Sequence, residues 1–305
     1  MIESVWIMNQ NGDQLDINLR SSQEEVGLLI FNMTGLGSPV ATVNGIGGPS
    51  FDGVRVNSVK ADARHMVLSL AIPGVGEAEE EARALIYEFF PVKQTIILGV
   101  KTANNDVYIQ AIVESNDMNH FSKVVNAVIS LFCPKPYFID RSSREVTMNA
   151  ISGIPGFYFP FSNESLISPL IIFGRVTSKP TASILYNSGV ETGCDISIRF
   201  NGQVTAMTIG NSNGAQEMSL HLEHVETMLG SSVTSGDRLL INTRVGEKKI
   251  IFIRDGVQHS AIGVIGIEDD WIQMRPGRNL IVVNIDEGLE LVEVDIKFNP
   301  LRDGI

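Results

Sequence analysis

Cysteine is scarce. Cys133 and Cys194 are the two in 305 residues, and they lie far apart. A secreted disulfide scaffold carries more. Neither has the C-x-x-C partner that zinc binding or thiol exchange needs, so both read as buried reduced thiols packing as small apolar residues. Basic charge is also short: 23 Lys and Arg stand against 35 Asp and Glu, for a formal net charge of -12. With no Lys/Arg run, the chain offers nucleic acid no counterion-releasing surface. No stretch approaches the ~18 uncharged apolar residues of a spanning helix. The opening "MIESVWIMNQNGDQLDI" lacks the basic-then-apolar order of a secretory signal. The expectation is a chain made in the cytoplasm, without membrane insertion.

What is present is a globular composition. Hydrophobic residues make up 44 % and charged residues 19 %, far from the disordered class. The length favours two domains. "SVWIM", "NQNGD" and "QLDINL" read as a hairpin. The Gly-, Pro- and Asn-rich stretch from Met33 to Val59 reads as a long loop-like excursion with short strands. It carries Gly35, Gly37, Pro39, Gly45, Gly47, Gly48, Pro49, Asp52 and Gly53, and is a candidate arm to a neighbouring subunit or a self-contained surface loop.

"ARHMVLSLAIPG" alternates as a strand, with Met66, Leu68 and Leu70 on one face. One helix is expected over about 77–90. Glutamates crowd its first turns, where the macrodipole favours them. Ala82, Leu85, Ile86 and Phe89 recur at helical spacing, and Pro91 ends it. "QTIILGVKT" and "VYIQAIVES" read as strands. "FSKVVNAVISLF" is β-branched and alternates, which favours strand over helix. From Arg141 a polar, then Gly/Pro/aromatic, connection leads into short strands with turn signals between them, "EMSLHLEHVE" among them. That is the pattern of a sandwich or barrel. The predicted domains are 1–140, a linker over 141–165, and 166–305. The late strand "LVEVDIKF" either closes the sandwich or returns to the first domain.

Motifs for chemistry fail on context. "GNSNG" matches the nucleophile elbow around Ser212, yet it lies between strand-like runs and not between strand and helix. His221 and His224 in "HLEH" are three apart, on opposite faces if this is a strand, so they cannot chelate together. "IEDDW" lacks the remaining ligands of an oxygen cage. "GIGGPS" and "GVGEAEEE" lack the Lys-Ser/Thr of a P-loop. No catalytic residue, metal ligand or cofactor site is assigned. In "SLFCPKPYF", Pro134 and Pro136 end a strand and stiffen its exit. Cys133 reads as an apolar strand end, and Tyr137 and Phe138 as the anchor of that exit.

Taken together, these runs resemble the distal tail protein family of long-tailed, non-contractile bacteriophages. The C-P-x-P-Y-F run recurs at the end of that family's first domain, most often with Asp where Lys135 stands. The helix with "ARALIYEFF" and the strands after it fit the same order. "YNSGVETGCDISIRFNG", with Asn187, Gly189 and Thr192, resembles the opening of the family's sandwich. "SGDRLLINTRVGEKKI", with Gly236 and Asp237, resembles its G-D-x-L-x-I-D-T run, Asn242 replacing Asp. "WIQMRPGRNLIVV", with Trp271, Pro276, Gly277 and Asn279, resembles its W-x-x-L-x-P-G-x-N segment, Met274 replacing Leu. The resemblance implies a mainly β fold with one helix. It implies an N-terminal split-barrel-like ring domain followed by a C-terminal galectin-like β-sandwich. It implies a baseplate hub at the virion tail tip, assembled in the bacterial host as a self-associating ring of six. The tail tube protein lies above, a tail-tip protein below, receptor-binding proteins nearby, and DNA passes through. Fold alone carries no sugar binding. A carbohydrate- or receptor-binding module and a Ser212 hydrolase are the competing classes.

Overall fold

The computed structural model describes residues 2–18, 28–48, 51–72, 76–119, 125–149, 153–155, 174–176, 181–285 and 291–305. The chain is mostly β and divides into two compact units. Unit 1 is Met1–Ser142 with Leu301–Ile305; unit 2 is Ser143–Pro300.

Unit 1 begins with β1 (Ile2–Met8), β2 (Gln14–Asn18) and β3 (Leu29–Thr34). β4 (Ala41–Gly48), β5 (Phe51–Ala61) and β6 (Arg64–Ile72) follow, then α1 (Glu77–Phe89). β7 (Thr95–Thr102), β8 (Asp106–Asn119), β9 (Val125–Cys133) and β10 (Phe138–Asp140) complete this part of the chain. The main sheet runs β2-β1-β7-β8-β9-β6-β3, and β10 pairs with β8. Its core is built by alternation. Met66, Leu68, Leu70 and Ile72 are buried on β6, and Val125, Ala127, Ile129, Leu131 and Cys133 on β9. The strand reading of that valine-rich run holds because β-branched side chains pack well on a pleated face. α1 turns Ala82, Ile86 and Phe89 inward. Its first turn carries Glu77, Glu79 and Glu80, where the helix dipole favours negative charge.

Gly99 on β7 lies opposite Trp6 on β1. A Cβ there would stand 1.8 Å from the indole, so the glycine makes room for the largest side chain in the strand.

Unit 2 contains β11 (Arg144–Asn149), β12 (Gly153–Pro155), β13 (Gly174–Val176), β14 (Thr181–Tyr186), β15 (Thr192–Gly193) and β16 (Asp195–Phe200). Next come β17 (Ala206–Asn211), β18 (Gln216–His221), α2 (Glu223–Leu229), β19 (Arg238–Asn242) and β20 (Lys249–Arg254). It closes with β21 (Val257–Ser260), β22 (Gln273–Met274), β23 (Gly277–Asn284) and β24 (Val292–Phe298). A six-stranded sheet, β11-β24-β16-β19-β20-β21, faces a four-stranded sheet, β14-β23-β17-β18, across one apolar core. Tyr186 from one sheet meets Phe298 from the other edge-on at 5.8 Å.

One open alternative is resolved and two sequence expectations change. "LVEVDIKF" is β24 and sits between β11 and β16 in the sandwich, while the short β25 (Leu301–Arg302) returns to unit 1 and pairs with β10. "EMSLHLEHVE" is not one strand, because β18 ends at His221 and α2 follows. The stretch from Met33 to Val59 is not loop-like with short strands. It holds β4 and the eleven-residue β5, paired as a hairpin.

Candidate functional site

The hairpin β4–β5 stands apart from the main sheet of unit 1, since among the described strands each of its two pairs only with the other. Register sorts its side chains. Ala41 faces Ala61, Val43 faces Val59, and Gly45 faces Val56. A bulge between Asn44 and Gly45 leaves Asn57 as the extra residue on β5, which keeps Val56 on the same face as Val59. Val54 joins that face, because a Cβ on Gly45 would stand 2.3 Å from the Val54 Cγ1. One side of the arm is therefore alanine, valine and glycine. Val43, Val54, Val56 and Val59 are each between 54 and 62 % exposed.

The opposite side pairs Thr42 with Lys60, Asn44 with Ser58, and Ile46 with Arg55. The Asn44 amide donates to the Ser58 hydroxyl at 3.2 Å. Ile46 is the apolar exception on this side, and it is exposed. A two-stranded ribbon is marginal alone in water, and an exposed contiguous apolar face marks an interaction surface.

The arm root is held by a buried arginine. Arg64, 4 % exposed, opens β6 just after the arm returns. Its Nε donates to the Pro136 carbonyl at 2.7 Å and its Nη2 to the Asp303 carbonyl at 2.5 Å. Its Nη1 donates to the carbonyls of Gly35 and Gly37. The guanidinium also lies 4.6 Å from the centre of the Phe138 ring. Burial lowers its pKa, partly offset by Cys133 and Asp303. Gly35 has φ +84°, and a Cβ there would meet the His65 carbonyl at 2.5 Å.

The landmark residues fall in this neighbourhood. Cys133 is fully buried at the end of β9, opposite Arg64. Burial pushes its thiol up to about 11, which disfavours the thiolate. Pro134 is exposed, Pro136 and Tyr137 are half-buried, and Phe138 is fully buried beneath Arg64. Of the arm residues, Gly37, Gly47, Asp52 and Gly53 are exposed, and Pro39 and Gly48 are half-buried. Gly53, with φ +92°, lies near the tip. Pro49 lies outside the described residues. Arg64 itself is not legible in sequence: one arginine before an apolar run carries no signal that it is buried.

The sandwich motif residues are architectural. The Asn279 side chain bonds the Arg275 main chain at 2.7 and 3.0 Å and accepts from Asn211 at 2.9 Å. Gly277, φ +98°, and the exposed Pro276 shape that turn. Thr192 bonds the Asn299 carbonyl at 3.3 Å. The Tyr186 hydroxyl closes the loop bearing Asn187 and Gly189 by donating to the Val190 carbonyl at 2.7 Å. Asp237, buried beside Gly236, takes an ion pair from Arg254 at 2.5 Å. Burial opposes its ionisation, but the Arg254 and Thr234 hydrogen bonds outweigh that and hold its pKa below the usual carboxylate value. Trp271 is half-buried, with the Lys248 ammonium 5.1 Å from its ring centre.

Ser212 sits in the hairpin turn between β17 and β18. His221 and His224 do not oppose each other across a strand; their rings lie 6.1 Å apart where β18 gives way to α2. Among the described residues, no group of three or more His, Cys, Asp or Glu is placed to hold a metal, and no helix is long and apolar enough to cross a membrane.

No family model matches the sequence, and no curated protein does. Solved structures do match in fold. The crystal structure of SPP1 Dit, a paradigm of the hub adsorption apparatus in Gram-positive-infecting phages, superposes with a TM-score of 0.63 at 9 % identity, over 97 % of this chain and 98 % of that one. The chain has the fold of a distal tail protein. The phage P2 baseplate in its activated conformation with calcium holds a second match, with a TM-score of 0.52 at 14 % identity, over 100 % of both chains. The strontium form of that baseplate gives 0.50 at 12 % identity, over 97 % of both. Likeness across nearly all of each chain means that the distal tail fold spans both units.

Proposed function

We propose that this chain is a structural subunit of a phage tail tip, a baseplate hub whose copies close into a ring. The observation that carries this reading is the arm: four mostly exposed valines on one face of a hairpin that pairs with no other described strand. Its occupant is a second copy of the chain. A head-to-tail contact repeated around a rotation axis forms a ring when the rotation closes. Covering one such valine gains roughly 1–2 kcal/mol, so each arm contributes on the order of several. Six copies, a tail tube protein above, a tail-tip protein below and DNA passing through belong to the same reading. So do an outward galectin-like sandwich and receptor-binding proteins beside it. The net charge of -12 suits a wall that DNA slides past.

A free carbohydrate-binding module has less support. Sugar sites are built on exposed aromatics, and the described aromatics of unit 2 are buried or half-buried.

Negative-stain microscopy and sedimentation velocity test the hub reading. The purified chain is expected to form rings with outward knobs. The double variant Val43→Glu, Val59→Glu sediments as a folded monomer, since carboxylates on the apolar face resist burial. Wild-type protein that stays monomeric at every concentration, or rings that survive the double variant, defeats the proposal.

A further inference from the structure

We propose that Arg64 and the returning segment 301–305 form a clasp that fixes the arm root, so that the arm is aligned only once that segment has come back to unit 1. The link to docking rests on the arm being an assembly surface; the clasp itself does not.

Arg64 gathers segments far apart in sequence. Its acceptors are 29 and 27 positions upstream at Gly35 and Gly37, 72 downstream at Pro136, and 239 downstream at Asp303. Two of these carbonyls belong to the chain entering the arm, and Arg64 follows the chain leaving it. The returning segment also touches the root directly. The Ile305 amide donates to the Leu36 carbonyl at 3.1 Å. A Cβ on Gly304 would stand 2.9 Å from that same carbonyl oxygen and 3.1 Å from the Gly37 carbonyl carbon. β25 is tied down in turn by the Arg302–Asp140 ion pair at 2.9 Å.

A buried guanidinium needs its N–H groups satisfied. Before residues 301–305 arrive, Arg64 lacks the Asp303 acceptor and Leu36 lacks the Ile305 donor. The root then has fewer bonds, and local opening is easier. The chain makes all of unit 2 between the arm and this segment, so incomplete chains carry a loosely directed arm. That ordering discourages premature association.

Hydrogen exchange on the full chain tests this in Arg64→Met and in Gly304→Val, which leaves the arginine in place. Amides of Asp62 and Ile305, which donate to the Val40 and Leu36 carbonyls at the root, are expected to exchange about tenfold faster or more in both variants, while β7 and β8 keep wild-type rates. Unchanged exchange at Asp62 and Ile305 in both variants overturns the clasp, as does loss of protection spreading equally through β7 and β8. Sedimentation of the same samples addresses docking. Smaller species than wild type support the link, and full rings with a loosened root overturn it. If wild-type protein forms no ring, the hub reading fails, while the exchange result still decides the clasp.

Discussion

At the residue scale, a few positions hold geometry that nothing else replaces. Gly99 is one, because the Trp6 indole occupies the place of its Cβ. Gly99→Ala forces the indole out of its packing and costs about 1–3 kcal/mol, read as a lower midpoint in urea unfolding. Asp140 and Asp237 are a second kind. Each is buried, which raises its pKa. Hydrogen bonds outweigh that: Ser142 and Arg302 for Asp140, Arg254 and Thr234 for Asp237. Their folded pKa values lie below the unfolded value of about 3.9. The stability they contribute is therefore fully present well above pH 4 and is lost as pH falls through the lower folded values. In Asp237→Asn the loss of stability between about pH 6 and pH 3 is shallower than in wild type, as thermal melts across that range will show. Glycines at turns can be read from sequence. That Gly99 serves Trp6 could not be, since the two are 93 positions apart and meet only through the β1–β7 register.

At the element scale, periodicity decides what can be foreseen. The alternation on β6 and β9 and the helical spacing of α1 survive intact, because burying one face determines both. The arm is less legible. Its glycines and asparagines read as loop, and its alternation is interrupted by the bulge at Asn57. α2 is not legible in sequence, because "LHLEHVE" is too short to show a helical period. Since the arm strands pair only with each other, replacing residues 41–61 by a short Gly/Ser linker should leave the melting temperature within about 3 °C of wild type. A larger fall in calorimetry would mean that the arm supports the core of unit 1.

At the scale of the whole molecule, charge and topology act. With a formal charge of -12, the protein is expected not to retain duplex DNA at about 0.15 M salt, because it has no cationic run to release counterions. A shifted band in a gel mobility assay at that salt would contradict this. Composition and pattern by themselves determined a mainly β chain, the single long helix α1 and the strand faces. Each follows from local propensity or from the period of the apolar residues, which neighbours in sequence display. Tertiary structure alone decided that β24 stays in the sandwich while β25 goes back, that four valines of the arm share one face with alanine and glycine, and that Arg64 gathers four distant carbonyls. Those depend on register and on contacts across up to 239 positions, and no local pattern encodes which distant carbonyl a buried donor will meet.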